Sequence, residues 1–79
     1  MKKIVLVSKS EGDRGANGKK KIYEIVIEGN RVTFSWGKAE ESARQTKTQW
    51  LRSEWLATQT AEKKKWEKIS KGYEIAFVA

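Results

Sequence analysis

The sequence contains no cysteine, no histidine and no proline. Without cysteine there is no disulfide bond, no thiol nucleophile and no thiolate zinc site. Without histidine the chain lacks the commonest metal ligand and general base. In addition, no glycine-rich phosphate loop leads into a helix, and no serine has a plausible base nearby in the pattern. We therefore expect a non-enzymatic protein with no metal, no cofactor and no small-molecule substrate.

Long hydrophobic runs are also missing. The apolar run after Lys2 and Lys3 covers only residues 4–7, which is too short for a secretory signal. No stretch approaches the roughly 20 apolar residues that cross a bilayer. We expect a soluble, cytoplasmic protein with no membrane partner.

What the chain has is positive charge on a small domain. Its 79 residues include 17 Lys and Arg against 10 Asp and Glu, a formal net charge of +7. This length predicts one domain over residues 1–79, which we expect to be a monomer. The charge favours an acidic partner such as nucleic acid, although it also serves solubility.

The clearest pattern is a β-hairpin that begins at Lys21. Apolar and polar residues alternate on both sides of Gly29-Asn30, a typical two-residue turn. This turn sets a register in which the facing pairs are Glu28 with Arg31, Ile27 with Val32, Val26 with Thr33, Ile25 with Phe34, Glu24 with Ser35 and Tyr23 with Trp36. One face of the hairpin is therefore apolar and the other polar.

The remaining elements follow from local patterns. We predict strands over 3–8, 45–50 and 73–78, and a mobile loop between Lys9 and Lys20. The first of these strands is apolar on both faces, so it is either covered on both sides or placed at the centre of the sheet. Ser53 is typical of a helix N-cap, and Lys71-Gly72 is typical of a helix end. The chain is thus predicted to be α+β, a small twisted antiparallel sheet with one long helix packed on one face.

The orientation of that helix follows from its aromatic residues. Trp55, Trp66 and Ile69 fall on one stripe with Thr58, so the two indoles should pack on the sheet. Lys64, Lys68 and Lys71 should then point away. Because a small core needs large apolar side chains, we also assign Trp50 to packing.

Several short motifs resemble those of the WGR domain family. They are Lys20 to Ile25, Gly29 to Thr33, the triplet Trp36-Gly37-Lys38, Gln45 to Thr48, and Lys71-Gly72-Tyr73. The resemblance covers residues 19–73. Two features depart from the family: Lys38 replaces its Arg, and residues 39–44 lack the glycines that usually follow the triplet.

This resemblance implies a nucleic-acid-binding role. In poly(ADP-ribose) polymerases the WGR domain binds DNA breaks, with its Trp stacked on a strand terminus, and stand-alone bacterial WGR domains are presumed to bind nucleic acid. The candidate site residues here are Trp36, Gly37, Lys38, Arg44 and Lys47, with Lys19, Lys20 and Lys21 on the basic loop. A second lysine cluster lies on the helix at Lys63, Lys64, Lys65, Lys68 and Lys71.

Three alternatives stay open at the level of sequence. Trp36 either packs in the core beside Tyr23 or is exposed at the strand end, where Gly37 permits a bulge. The two lysine clusters either meet on one surface or scatter. The partner is either nucleic acid, with DNA favoured, or an acidic protein docked on the sheet or the basic patch.

Overall fold

The computed structural model describes residues 1–8, 21–38 and 44–79, which form a five-stranded antiparallel sheet and one helix. The elements are β1 (Lys2–Ser8), β2 (Lys21–Glu28), β3 (Arg31–Lys38), β4 (Gln45–Trp50), α1 (Glu54–Ser70) and β5 (Tyr73–Val78). The strand order is β4-β3-β2-β1-β5, so β1 lies inside the sheet as predicted. The α+β class is confirmed. The predicted mobile loop lies outside the described residues.

The hairpin of β2 and β3 has the register that its turn predicts. Every facing pair from Glu28 with Arg31 to Tyr23 with Trp36 is confirmed, and the ladder continues to Lys21 with Lys38. Gly29 takes a positive φ of 58°, which is the conformation that this turn position needs. The alternation therefore places Tyr23, Ile25 and Phe34 on one face of the sheet, where they are buried.

Local signals also set both ends of α1. The Ser53 side-chain oxygen accepts a hydrogen bond from the backbone N–H of Leu56 at 3.2 Å, which is an N-cap contact. At the other end Gly72 has a φ of +107°, a conformation that L side chains rarely adopt. The following strand β5 pairs with β1, on the sheet edge opposite β4.

The helix packs on the sheet through small residues, so its predicted orientation is wrong. The inward side chains of α1 are Ala57 and Ala61, both fully buried. Trp55 and Trp66 are 67% and 57% exposed on the outward face, although Ile69 does pack against the core. The sheet supplies the large side chains in this layer, and alanines let the helix approach them closely.

Two further predictions about side-chain direction are wrong. Lys64 and Lys68 follow Ala57 and Ala61 on the same helix face and lie over aromatic rings of the sheet instead of pointing away. Trp50 is 66% exposed at the end of the edge strand β4, with the Arg31 guanidinium over its ring at 5.4 Å. Within the described residues, no helix is long and apolar enough to cross a membrane.

Candidate nucleic-acid interface

A groove of about 570 Å³ lies between α1 and the part of the sheet that the helix leaves uncovered. Among the described residues, the lining comes from α1 and from β2 to β5: Tyr23 of β2, Phe34 and Trp36 of β3, Lys47 and Gln49 of β4, Thr60, Lys63, Lys64, Glu67 and Lys68 of α1, and Tyr73 of β5. Aromatic rings and lysines thus share one surface.

The floor of the groove is a cluster of four rings with Tyr23 at its centre. Trp36 is stacked on Tyr23, with ring centroids 5.9 Å apart and planes 17° apart. Phe34 and Tyr73 meet the same tyrosine at 6.2 Å and 6.3 Å in tilted and edge-on arrangements. The cross-strand pair that turn geometry predicts therefore forms part of the floor of the groove.

Lysines surround this floor from two sides. Lys47 of β4 lies opposite Phe34 in the strand register, so its side chain leaves the sheet on the helix side. From α1, the Lys64 ammonium lies 5.9 Å from the Phe34 ring centroid, and the Lys68 ammonium lies 4.6 Å from that of Tyr23. Among the described residues, no cation lies over the ring of Trp36.

The close approach of these groups changes their proton affinities. Burial lowers the pKa of Lys68, and the neighbouring charges of Lys71 and Lys64 lower it further. Burial raises the pKa of Tyr23 and of Tyr73. Burial is the main cause for Lys68, and the smaller contributions of Lys71 and Lys64 show that three positive charges lie close together. An anion that enters the groove reduces their mutual repulsion.

Glu67 is the one acidic residue among the described lining residues. Its carboxylate lies 2.9 Å from the Lys64 ammonium. A hydrogen bond and the charge of Lys64 hold the pKa of Glu67 below its usual value, with smaller contributions from Lys71 and Lys68. The part of the lining that the structure describes therefore carries four lysines against one acid.

Of the residues predicted from sequence, Trp36 and Lys47 line the groove. Trp36 is partly buried and packs against the core while still lining the groove, so it combines features of both alternatives. Lys21 and Lys38 face each other at the open end of the β2–β3 ladder, both exposed, and Gly37 lies opposite Ile22. These three mark the strand ends next to the groove.

Arg44 points elsewhere, and two candidates fall outside the described residues. The Arg44 guanidinium pairs with Glu24 at 2.6 Å. Glu24 alternates with Tyr23 along β2, so this ion pair is on the face of the sheet that the helix does not cover. Lys19 and Lys20 belong to the segment that the structure does not describe.

The helix lysines Lys63, Lys64 and Lys68 line the groove. The helix orientation predicted from the sequence places Lys64 and Lys68 on the opposite side of the helix. The sequence does contain a pattern that marks this helix face, because the spacing of three and four residues relates Ala57, Ala61, Lys64 and Lys68. A search for hydrophobic periodicity does not detect it, because this face consists of small and charged residues. Long lysine stems nonetheless cover aromatic surface well.

Comparison with known proteins gives no match to any family model, any curated protein or any solved structure. The WGR resemblance accordingly stays a prediction. Nor do the described residues contain a group of three or more acidic, histidine or cysteine side chains that could hold a metal ion.

Proposed function

We propose that this protein is a non-catalytic nucleic-acid-binding module, with DNA the favoured ligand, and that a strand lies in the groove between α1 and the sheet. The observation that carries the proposal is the combination of a planar aromatic surface at Trp36 with lysines on both sides of it. The WGR resemblance of residues 19–73 points to the same function.

The aromatic floor suits unpaired bases. Every base has a flat π-face, and stacking on an aromatic side chain contributes about 1–3 kcal/mol per base. Trp36 and Tyr23 form a near-parallel stack, and no described cation lies over the Trp36 ring. A base that stacks on Trp36 would extend this pair of rings.

The lysines suit the phosphates on either side of such a base. Lys47 approaches from β4, and Lys63, Lys64 and Lys68 approach from α1, so a strand in the groove has ammonium groups along both walls. Lysine binds phosphate as a point charge without a fixed fork geometry. We expect backbone contacts and stacking without readout of base edges, and thus little dependence on sequence.

An acidic protein is the competing ligand. Carboxylates are also attracted to the lysines, but they make no use of a planar ring cluster. The two ligands therefore differ in how much they depend on Trp36, and one substitution separates them.

The test is a titration of labelled single-stranded DNA, duplex DNA and a glutamate-rich peptide with wild-type protein and with Trp36→Leu. Leucine keeps apolar volume against the core but removes the flat ring. Loss of one stacked base weakens single-strand binding about 5- to 150-fold. Binding of the peptide should change little.

Trp55→Leu is the matched control, because Trp55 is an exposed indole on the outward face of α1. Circular dichroism and thermal melting establish that both variants are folded. Equal affinity of folded Trp36→Leu and Trp55→Leu for single-stranded DNA would refute stacking at Trp36. Binding of the peptide alone would replace nucleic acid with an acidic protein as the ligand.

A further inference from the structure

Glu67, the single carboxylate among the described residues that line the groove, occupies a specific place in it. Glu67 projects from α1 between lysines that precede and follow it on the helix, and its Oε1 lies 2.9 Å from the Nζ of Lys64. Lys68 and Lys71 also act on its charge. A negative group in the groove lining is therefore already paired with Lys64 and lies within the electrostatic influence of Lys68 and Lys71.

Glu62, another acid of the same helix, provides a contrast. It pairs with Lys65 at 2.8 Å, in the same i,i+3 geometry as Glu67 with Lys64. However, neither Glu62 nor Lys65 lines the groove, and the Lys65 ammonium lies over the outward ring of Trp66 at 4.9 Å. The two ion pairs are alike in chemistry and differ in location.

We propose that Glu67 occupies the phosphate subsite of the groove in the free protein and is displaced when a nucleic-acid strand binds. A carboxylate oxygen and a phosphate oxygen accept the same hydrogen bond from an ammonium group. This inference rests on the proposed function, and it names the position of one phosphate and a residue that sets the affinity.

The spacing to Trp36 fits this assignment. Tyr23 contacts both sides, with the Trp36 ring centroid at 5.9 Å and the Lys68 ammonium at 4.6 Å from its own ring centroid. The Trp36 ring and the Lys68 ammonium thus both adjoin the ring of Tyr23, so a base stacked on Trp36 and a phosphate held by Lys68 would be neighbours across one side chain. The Glu67 side chain is 48% exposed, so it has solvent into which it can turn.

The experiment compares Glu67→Gln with Glu62→Gln in binding to a fluorescent oligothymidylate. Both changes remove one negative charge and keep the side-chain size, so they raise the net charge equally. Repulsion between two unit charges at 4 Å in water changes an affinity about 5-fold, and we expect Glu67→Gln to tighten binding by about that factor. Glu62→Gln should change affinity less than about 2-fold.

A second measurement follows the carboxylates themselves by NMR. When oligothymidylate saturates the wild-type protein, the pKa of Glu67 should rise, because Lys64 turns to the phosphate and a new negative charge arrives. The carboxyl resonance of Glu62 should stay where it is. An ion pair at Glu67 that lies away from the bound strand would show neither change.

The outcomes separate the two proposals. If wild-type protein does not bind oligothymidylate at low salt, the proposed function is wrong and the subsite falls with it. Suppose that the wild-type protein binds, but that Glu67→Gln raises the affinity no more than Glu62→Gln does, or that the pKa of Glu67 does not change on binding. Then only the proposal that Glu67 occupies the phosphate subsite is wrong.

Discussion

The salt dependence of binding follows quantitatively from the groove. Among the residues that the structure describes, four lysines line it, at positions 47, 63, 64 and 68. If each neutralises one phosphate of a single strand, the logarithm of the affinity falls with the logarithm of salt concentration with a slope of about 2.8. Raising the salt from about 50 to about 200 mM then weakens binding about 50-fold.

Two variants divide this effect into its parts. Lys64→Ala removes one phosphate contact, so the slope falls to about 2.1 and the same change in salt costs only about 20-fold. Trp36→Leu lowers the affinity at every salt concentration but leaves the slope unchanged, because stacking releases no counterions. Fluorescence anisotropy with labelled oligothymidylate at five or more salt concentrations gives each slope.

Lys65→Ala is the control for Lys64→Ala. Lys65 is adjacent in sequence, but it pairs with Glu62 outside the groove. Its removal should leave the slope near the wild-type value. Binding in the groove would be refuted if the two lysine variants had equal slopes. It would also be refuted by a wild-type slope far above the value for four phosphates, because the protein would then bind as a general polycation.

Stability and proton affinity provide further tests. Phe34→Ala removes a side chain that is only 4% exposed and should cost about 3–5 kcal/mol of unfolding free energy, whereas Trp66→Ala, at 57% exposure, should cost less than about 2 kcal/mol. Urea melts measure both, and a larger loss for Trp66→Ala would contradict the observed helix orientation. Tyr23 and Tyr73 are the only two tyrosines, and burial raises the pKa of both. Their contribution to stability is therefore complete below the unfolded value of about 10 and is lost as the pH rises through the folded values. A tyrosinate absorbance titration in buffer and in urea checks this, and coincident curves would disprove the shift.

The sheet was largely predictable because its signals are local. Gly29-Asn30 sets the hairpin register, and strict alternation on both sides then decides which residues share a face. The position of β1 inside the sheet follows from apolar residues on both of its faces. Likewise, Ser53 and Gly72 mark the ends of α1 by their own hydrogen-bonding and backbone preferences.

The face of α1 that meets the sheet was not predictable from its hydrophobic pattern. The indoles of Trp55 and Trp66 suggest that their side of the helix faces the sheet. However, Tyr23, Ile25 and Phe34 of the sheet already fill the space between sheet and helix. Only small residues then fit between helix and sheet, and Ala57 with Ala61 meets that requirement. Which face of α1 packs on the sheet depends on the volume available between the two elements, and a local sequence pattern does not contain that information.

The sequence by itself therefore determined the elements, the hairpin register and the pairing of Tyr23 with Trp36, since turn chemistry and alternation act between near neighbours in the chain. Only the tertiary structure decided that the helix lysines meet this ring pair and Lys47, that Arg44 is turned to the other face by Glu24, and that Glu67 lies among the lysines of the groove. The helix lysines meet rings of β2 and β3, and Arg44 meets Glu24, across long separations in the chain. Glu67 pairs with Lys64 inside α1, but that pair lines the groove only because of the way the helix packs on the sheet.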